Sequence, residues 1–458
     1  MYIIKPLGLL FFLIWCNALN LYSQELKVSE NGKHFIDSDG EPFFWLGDTA
    51  WELFHRLDRD EADKYLEDRA SKGFTVIQAV ALAELNGLED PNAYGEIPLK
   101  NNFPATPNDK YFDHVDYIVN KANSLGMYVG LLPTWGDKFN IKWGKGPEIF
   151  TPANAKSYGE YLGKRYKNKD VIWILGGDRN PENERDYAII RAMAAGLERE
   201  HKGTQLMTYH PQGESNSAVL FPDEPWLDFH FFQSGHGARN SPNYRFNQKN
   251  LSVKPLKPTL DGEPRYEDHP VAWKPDSLGW FDDFDVRQAA YWSMLSGAAG
   301  HTYGNHNIWQ MWEEGLEPIS WARTNWNEAL QHDGAAQMGY MKQLFLARSW
   351  FKLVPDQSMI LNENKEGAAY QMAAISNDEN FALIYTPFGK TISTDLNRIS
   401  GKTIKAWWFN PRDGRILTIG EYSDKQPMDF TPHASGRGSD WVLVLENKAE
   451  NLAVPDRR

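Results

Sequence analysis

Two carboxylates stand where short apolar runs end: Asp178 in VIWILGGDRNP and Glu263 in KPTLDGEPRYEDHP. The first run has strand length and strand chemistry, and Gly176 and Gly177 let the backbone turn sharply and approach a ligand closely. A pair of carboxyl groups across a glycosidic bond can hydrolyse it: one protonates the leaving oxygen while the other attacks the anomeric carbon or activates water. Each residue also has a purely structural reading. Asp178, followed by RNPENE, is able to cap the helix containing Tyr187, because Asp ahead of Pro is a common helix start. Glu263 can pair with Arg265 or another surface charge. Strand alternation puts Asp261 on the same side as Glu263, as a supporting partner.

For both carboxylates to serve one site, the elements that carry them must share an end. Between residues 43 and 345 the runs FFWLGDTAW, TVIQAVAL, MYVGLLPTW, VIWILGGD, QLMTYHP, LDFHFFQ, KPTLDGEP and AAGHTYGNH alternate with helical segments. Among the latter are DEADKYLEDRASKG and YFDHVDYIVNKANSLG, each closed by glycine. Eight strands alternating with helices predict a (β/α)8 TIM barrel, with active-site residues at the carboxyl ends of the strands. The rival doubly wound sheet needs a GxGxxG turn early in the chain, and none is there. The fourth and seventh strands carry Asp178 and Glu263. Strands opposed in this way can hold carboxyl groups about 5 to 5.5 Å apart, the separation of a covalent, retaining mechanism.

The other strand ends supply Asp48, Trp51, Trp135, Arg179, His210, Gln233, His236, Arg265 and Tyr303 as candidate substrate-binding residues. Trp51 and Trp135 are the stacking faces, while Arg179, Arg265 or a histidine would bind a substrate carboxylate. His210 and His236 show no HxH or HExxH spacing, so they are read as partners of sugar hydroxyls. No metal and no cofactor is expected. Glu84, Asp137 and Glu267 are the fallback acids.

Composition narrows the partners. The formal net charge is -13, and losing a leader whose one charge is Lys5 makes it -14, which disfavours nucleic acid and anionic membranes. The start, MYIIKPLGLLFFLIWCNALNLYSQ, reads as a secretory signal over residues 1–23, and export leads to the periplasm or cell surface. Lipid attachment at Cys16 is disfavoured by the bulky Trp15 before it. Cys16 is the one cysteine, so the exported chain has neither disulfides nor a thiol nucleophile. Eighteen tryptophans in an acidic exported chain suit a carbohydrate partner, and no stable protein partner is implied.

Residues 24–42 resemble a short β extension that caps the barrel, which spans 43–352. From 353 to 458 the runs AAYQMAAIS, NFALIYTPF, IKAWWFNP and DWVLVLE, separated by turns, predict a small antiparallel β-sandwich. It either packs on the barrel or binds carbohydrate through Trp407 and Trp408. Few contacts are expected across the boundary, which makes Leu353 to Asp356 the expected site of protease cleavage.

Taken together, WLGDTAW, LLPTWGDK, GGDRNP, MTYHPQG and DGEPRYED resemble glycoside hydrolase family 140, the apiosidase-like barrels with a C-terminal β-sandwich. The resemblance covers almost the whole chain after the leader. It implies a retaining, endo-acting hydrolase of plant pectin that cuts between apiose and the galacturonic acid backbone of rhamnogalacturonan II. It also implies Asp178 as acid/base and Glu263 as nucleophile. In the wider clan many members carry Glu after Asn where this chain has Asp after Gly. The readings from other classes are a non-catalytic glycan-binding surface protein on a degenerate barrel and a metal-dependent hydrolase; a glycosidase of another specificity also stays open. Sequencing the amino terminus of the exported protein should find a start near Gln24; a chain still carrying residues before Leu21 would contradict the leader.

Overall fold

The computed structural model describes residues 25–453 and residue 455. The expected leader, with Cys16, lies outside the described residues. All eight apolar runs form strands: β1 Trp45–Thr49, β2 Val76–Val80, β3 Tyr128–Leu132, β4 Val171–Gly176, β5 Met207–His210, β6 His230–Gln233, β7 Thr259–Asp261 and β8 Gly300–Tyr303. Six of them form one parallel ladder in the order β8-β1-β2-β3-β4-β5, and β6 and β7 pair in parallel beside it.

Two seams close the barrel. Between β5 and β6, the Asp228 N–H donates to Met207 O at 2.9 Å and the Thr208 hydroxyl to Phe229 O at 2.7 Å. Between β7 and β8, the Ala299 N–H donates to Thr259 O at 3.0 Å. Helices cover the outside, which is why β1 to β8 are buried along their whole length. Asp58 caps the helix Arg59–Ser71 in a reciprocal box with Glu61.

Inside, Trp45, Tyr128, Phe229 and Phe231 fill the amino-terminal end of the barrel. The three two-residue strands before β1 close that end: Phe35 packs edge-on against Phe229 at 5.1 Å between ring centres, and Phe43 against Tyr128 at 5.3 Å. The opposite, carboxyl end stays open. This polarity leaves one end for chemistry.

After the barrel comes a six-stranded antiparallel sheet, in the order Leu353–Pro355, Met372–Ser376, Phe381–Thr386, Trp441–Asn447, Ile404–Phe409, Ile416–Tyr422. A two-stranded ribbon, Ile392–Asp395 with Pro427–Phe430, covers one face. The other face packs on the barrel. Because successive side chains alternate, Trp407 turns toward the barrel and Trp408 toward the ribbon, and each is 2% exposed. Neither offers a platform for sugar.

Contacts between the sheet and the barrel are dense, contrary to expectation. They centre on the helix Asp283–Leu295, which leads into β8. Its Arg287 donates to both carboxylate oxygens of Asp440 at 2.9 and 3.0 Å in a buried pair. Tyr291 stacks on Tyr385 at 4.8 Å. Leu353–Pro355, the expected cleavage site, is itself paired with Met372–Ser376. The chain should therefore unfold in one transition and resist proteases there. Arg287→Ala, which strips Asp440 of its principal partner, should cost about 3 to 5 kcal/mol. A calorimetric trace with two separate transitions, or a melting point unmoved by Arg287→Ala, would refute this coupling.

Candidate active site

β4 ends in three consecutive residues with left-handed backbone: Gly176 (φ 92°), Gly177 (φ 105°) and Asp178 (φ 52°). A Cβ on Gly176 would sit 2.5 Å from His210 O, and one on Gly177 would sit 3.0 Å from Trp135. Glycine is the residue that fits both demands. The turn carries Asp178 across the end of β5, where its N–H donates to His210 Nδ1 at 3.1 Å. The Asp178 Oδ2 accepts from the indole N–H of Trp143 at 2.7 Å. Asn183, not Asp178, caps the helix Glu184–His201. The cap reading of Asp178 is thereby excluded.

Glu263 follows β7 by two residues. Between them, a Cβ on Gly262 would fall 1.8 Å from the Phe231 ring, so this position too is fixed by packing. His236 Nε2 bonds Glu263 Oε1 at 3.1 Å. His210 Nε2 lies 3.0 Å from Oε2. Arg265, the surface partner considered for Glu263, points elsewhere.

Asp178 and Glu263 line one cavity of about 590 Å³ at the open end of the barrel. Trp51, Trp135, Gln233, His236 and Tyr266 also line it. Burial alone would raise the Glu263 carboxyl, but His210 and His236 override it and hold the group down at about 2. Asp178 goes the other way: burial, then the Glu263 charge, push it up to about 6. One carboxyl is held ionised while its neighbour keeps its proton up to about pH 6. A third, Glu84, also lines the cavity and is pushed well above the carboxylate range by burial and by the charges of Asp178, Asp137 and Glu52.

Several candidates lie elsewhere. Asp48 and Tyr303 sit on the outward side of β1 and β8, because strand residues alternate between the barrel interior and the helices. Asp48 pairs with Arg69 at 2.5 Å and accepts from Tyr65, and Tyr303 bonds Glu267 at 2.5 Å. Arg265 is buried toward the helix Asp283–Leu295, donating to Gln288 and to the Arg239 carbonyl. Arg179 does not line the cavity, but its Nη1 lies 3.6 Å from Asp178 Oδ2. Its guanidinium lies flat on Trp143 at 3.9 Å and donates to the Asn140, Asp178 and Trp143 carbonyls, bracing the turn from behind. His210 is fully buried and serves Glu263 and Asp178, not a sugar hydroxyl.

Asp261 does not touch Glu263. It accepts from the Ser234 N–H and hydroxyl and from Asn243, fixing the turn that presents His236. The fallback acids Asp137 and Glu267 are withdrawn as well: Asp137 is tied to Lys138 and the Lys145 and Gly146 amides, Glu267 to Tyr303 and the Gly334 amide. Among the described residues no group of three or more His, Cys, Asp or Glu is arranged to hold a metal ion.

The cavity is also built from residues beyond the strand ends. Trp143, Glu214, Tyr266, His269, Trp273 and Trp309 all line it. Tyr266 accepts from the Trp51 indole at 3.1 Å. His269 Nδ1 must donate to the Pro270 carbonyl, at 2.7 Å, which leaves Nε2 as an acceptor. The sequence signal for this group is a lone tryptophan in a Gly-, Pro- or Lys-rich loop, as in KWGKGP and HPVAWKP, where core packing does not account for it.

The chain matches the model of the apiosidase-like catalytic domain over residues 29–352, and that of a putative collagen-binding domain of a collagenase over 354–446. Among solved structures, one titled glycoside hydrolase is 34% identical, covering 93% of this chain and 98% of its own, with a TM-score of 0.85. Another, titled a glycoside hydrolase family 5 protein from Bacteroides vulgatus ATCC 8482, is 33% identical, covering 94% and 96%, with a TM-score of 0.86. A putative glycoside hydrolase from the same organism shares the fold at 16% identity and a TM-score of 0.64, covering 93% of this chain and 83% of its own. No curated protein sequence matches. The chain belongs to the apiosidase-like family and is a glycoside hydrolase by fold.

With Asp178 at about 6, kcat/KM for glycoside hydrolysis should fall as pH rises through about 6. The Trp143 hydrogen bond favours the ionised form of Asp178. Trp143→Phe keeps an aromatic face for Arg179 but removes that bond, so the alkaline limb should move to higher pH. A limb that stays put, or moves down, would separate the indole from the acid.

Proposed function

We propose that this apiosidase-like glycoside hydrolase is a retaining, endo-acting enzyme of plant pectin that cuts the apiose–galacturonate bond of rhamnogalacturonan II, as a member of glycoside hydrolase family 140. The observation that carries the mechanistic part is a pair of carboxyls lining one cavity, Glu263 held down by two histidines and Asp178 pushed up by burial and the Glu263 charge. Glu263, ionised at any working pH, attacks the anomeric carbon. Asp178 gives its proton to the departing oxygen as the glycosyl-enzyme forms.

Glycosylation consumes the Glu263 charge, the second-largest cause of the raised Asp178 pKa. Asp178 then becomes the stronger acid, ionises and takes a proton from the incoming water. A carboxylate held near 2 favours the nucleophile role over that of a general base, since a weak base assists water poorly but leaves well in the second step. This supports retention over inversion.

One observation favours a second specificity. Among the described residues, those lining the cavity include no lysine or arginine, which favours a neutral sugar between the carboxyls. Neutral apiose satisfies this, and so do other neutral sugars. A galacturonate carboxylate would have to sit at the rim, where Lys142 lies 3.4 Å from the cavity-lining Gln212. The apolar start of the chain supports export to the periplasm or cell surface, where such a glycan would be met.

On rhamnogalacturonan II, Asp178→Asn should lose about 10²- to 10⁴-fold in rate. An aryl apioside whose leaving group needs no proton should still load Glu263 in this variant, and azide should then speed release. Glu263→Gln should form no intermediate with any leaving group. Near-full activity of Asp178→Asn on the polymer would remove it as the acid, and wild-type protein that releases no apiosyl ends would point to a different neutral sugar.

A further inference from the structure

Three tryptophans at the mouth of the cavity are left about half exposed: Trp143 at 42%, Trp273 at 50% and Trp321 at 54%. Trp143 comes from the loop after β3, beside Asp178. Trp273 and Trp321 come from the loops after β7 and β8, on the other side of the barrel. Trp273 lines the cavity, and so does Ser320, next to Trp321. Both of the latter indoles are presented by the same backbone device, a consecutive left-handed pair: Ala272 (φ 50°) with Trp273 (φ 56°), and Ser320 (φ 47°) with Trp321 (φ 63°). For non-glycine residues this costs energy that surrounding structure has to offset, and it concentrates at ligand-binding sites.

Both loops are pinned to the histidines of the site. The Ala272 N–H donates to the His236 carbonyl at 2.9 Å. His306 Nδ1 accepts from Trp309, so its Nε2–H donates to the Ile319 and Ser320 carbonyls at 3.1 and 2.9 Å. Trp273 stands edge-on to His269 at 5.4 Å, and His269 to His306 at 4.5 Å, so a continuous ring stack joins the two loops. The backbone that presents these indoles is held in place, the Trp273 ring is packed edge-on against His269, and both indoles stay uncovered. A large rigid aromatic face held open at a cavity mouth suits the flat C–H face of a sugar ring.

We propose that Trp273 and Trp321 form an outer sugar-binding platform on the Glu263 side of the mouth, facing Trp143 on the Asp178 side, so that the site engages a glycan chain and not a single terminal sugar. The occupants are further units of the chain being cut. The proposal rests on the glycosidase reading for its continuity with the reacting centre, but not on which sugar is hydrolysed.

The test uses full-length Glu263→Gln protein in native gels containing rhamnogalacturonan II, homogalacturonan, xylan or arabinogalactan. At least one polysaccharide should retard it, and adding Trp273→Ala with Trp321→Ala should weaken that affinity about tenfold or more. Phe at both positions should restore most of it while leaving the melting temperature unchanged. The platform is refuted if no polysaccharide retards the protein, if retardation survives both Ala substitutions, or if the substitutions instead abolish a dimer seen by gel filtration. Failure to release apiosyl ends from rhamnogalacturonan II is a separate outcome, which overturns the sugar assignment and leaves this readout intact.

Discussion

Two carboxyl groups lining one cavity repel each other, and acid–base chemistry requires that the repulsion be resolved in one direction only. Here the resolution is made by imidazole. His236 and His210 each approach one oxygen of Glu263, which fixes the negative charge there and leaves the proton on Asp178. His210 also takes the Asp178 N–H on its other nitrogen, so one ring bears on both the charge of Glu263 and the position of Asp178. The cavity's arrangement follows from keeping these two histidines in place.

The supporting residues act at one remove. Asp261, on the last position of β7, holds the Ser234 turn that presents His236, and the Ala272 amide holds the His236 carbonyl from the opposite loop. Gly176, Gly177 and Gly262 keep the backbone close enough for the side chains to meet, each at a point where a methyl group would collide. Arg179, expected to bind an acidic substrate, instead spends its charge on three backbone carbonyls, the face of Trp143 and the Asp178 carboxyl 3.6 Å away.

The eight strands were legible in the sequence because each is a short apolar run closed by polar residues, and a fully buried parallel strand has no other way to look. Asp178 and Glu263 were legible for the same reason, standing at run ends behind glycines. Asp48 and Tyr303 were misassigned because alternation decides which side of the barrel a residue faces, and run-end position alone ignores it. Arg265 and Arg179 were misread because a guanidinium reaches several ångströms and its target cannot be deduced from neighbours in sequence. Trp143, His269 and Trp273 lie in long loops whose path no periodicity encodes. Trp407 and Trp408 read as a platform only while both faces of their strand were taken to be free.

Those long loops also explain what the C-terminal sheet contributes. Left-handed non-glycine residues recur in the loops at this end of the barrel: Asp178 after β4, Asp268, Ala272 and Trp273 after β7, Met311, Ser320 and Trp321 after β8. At roughly 1 to 3 kcal/mol each, such strain persists only where the surroundings overdetermine it. The helix Asp283–Leu295 lies between the loop after β7 and the start of β8. Its first turn is clamped by Arg437, which pairs with Asp282 and Asp285, and its middle by the buried Arg287–Asp440 pair. Both clamps come from the sheet. Among the described residues the sheet carries no exposed tryptophan, and its contacts brace the side of the barrel that carries the most strained loops and two of the three open indoles.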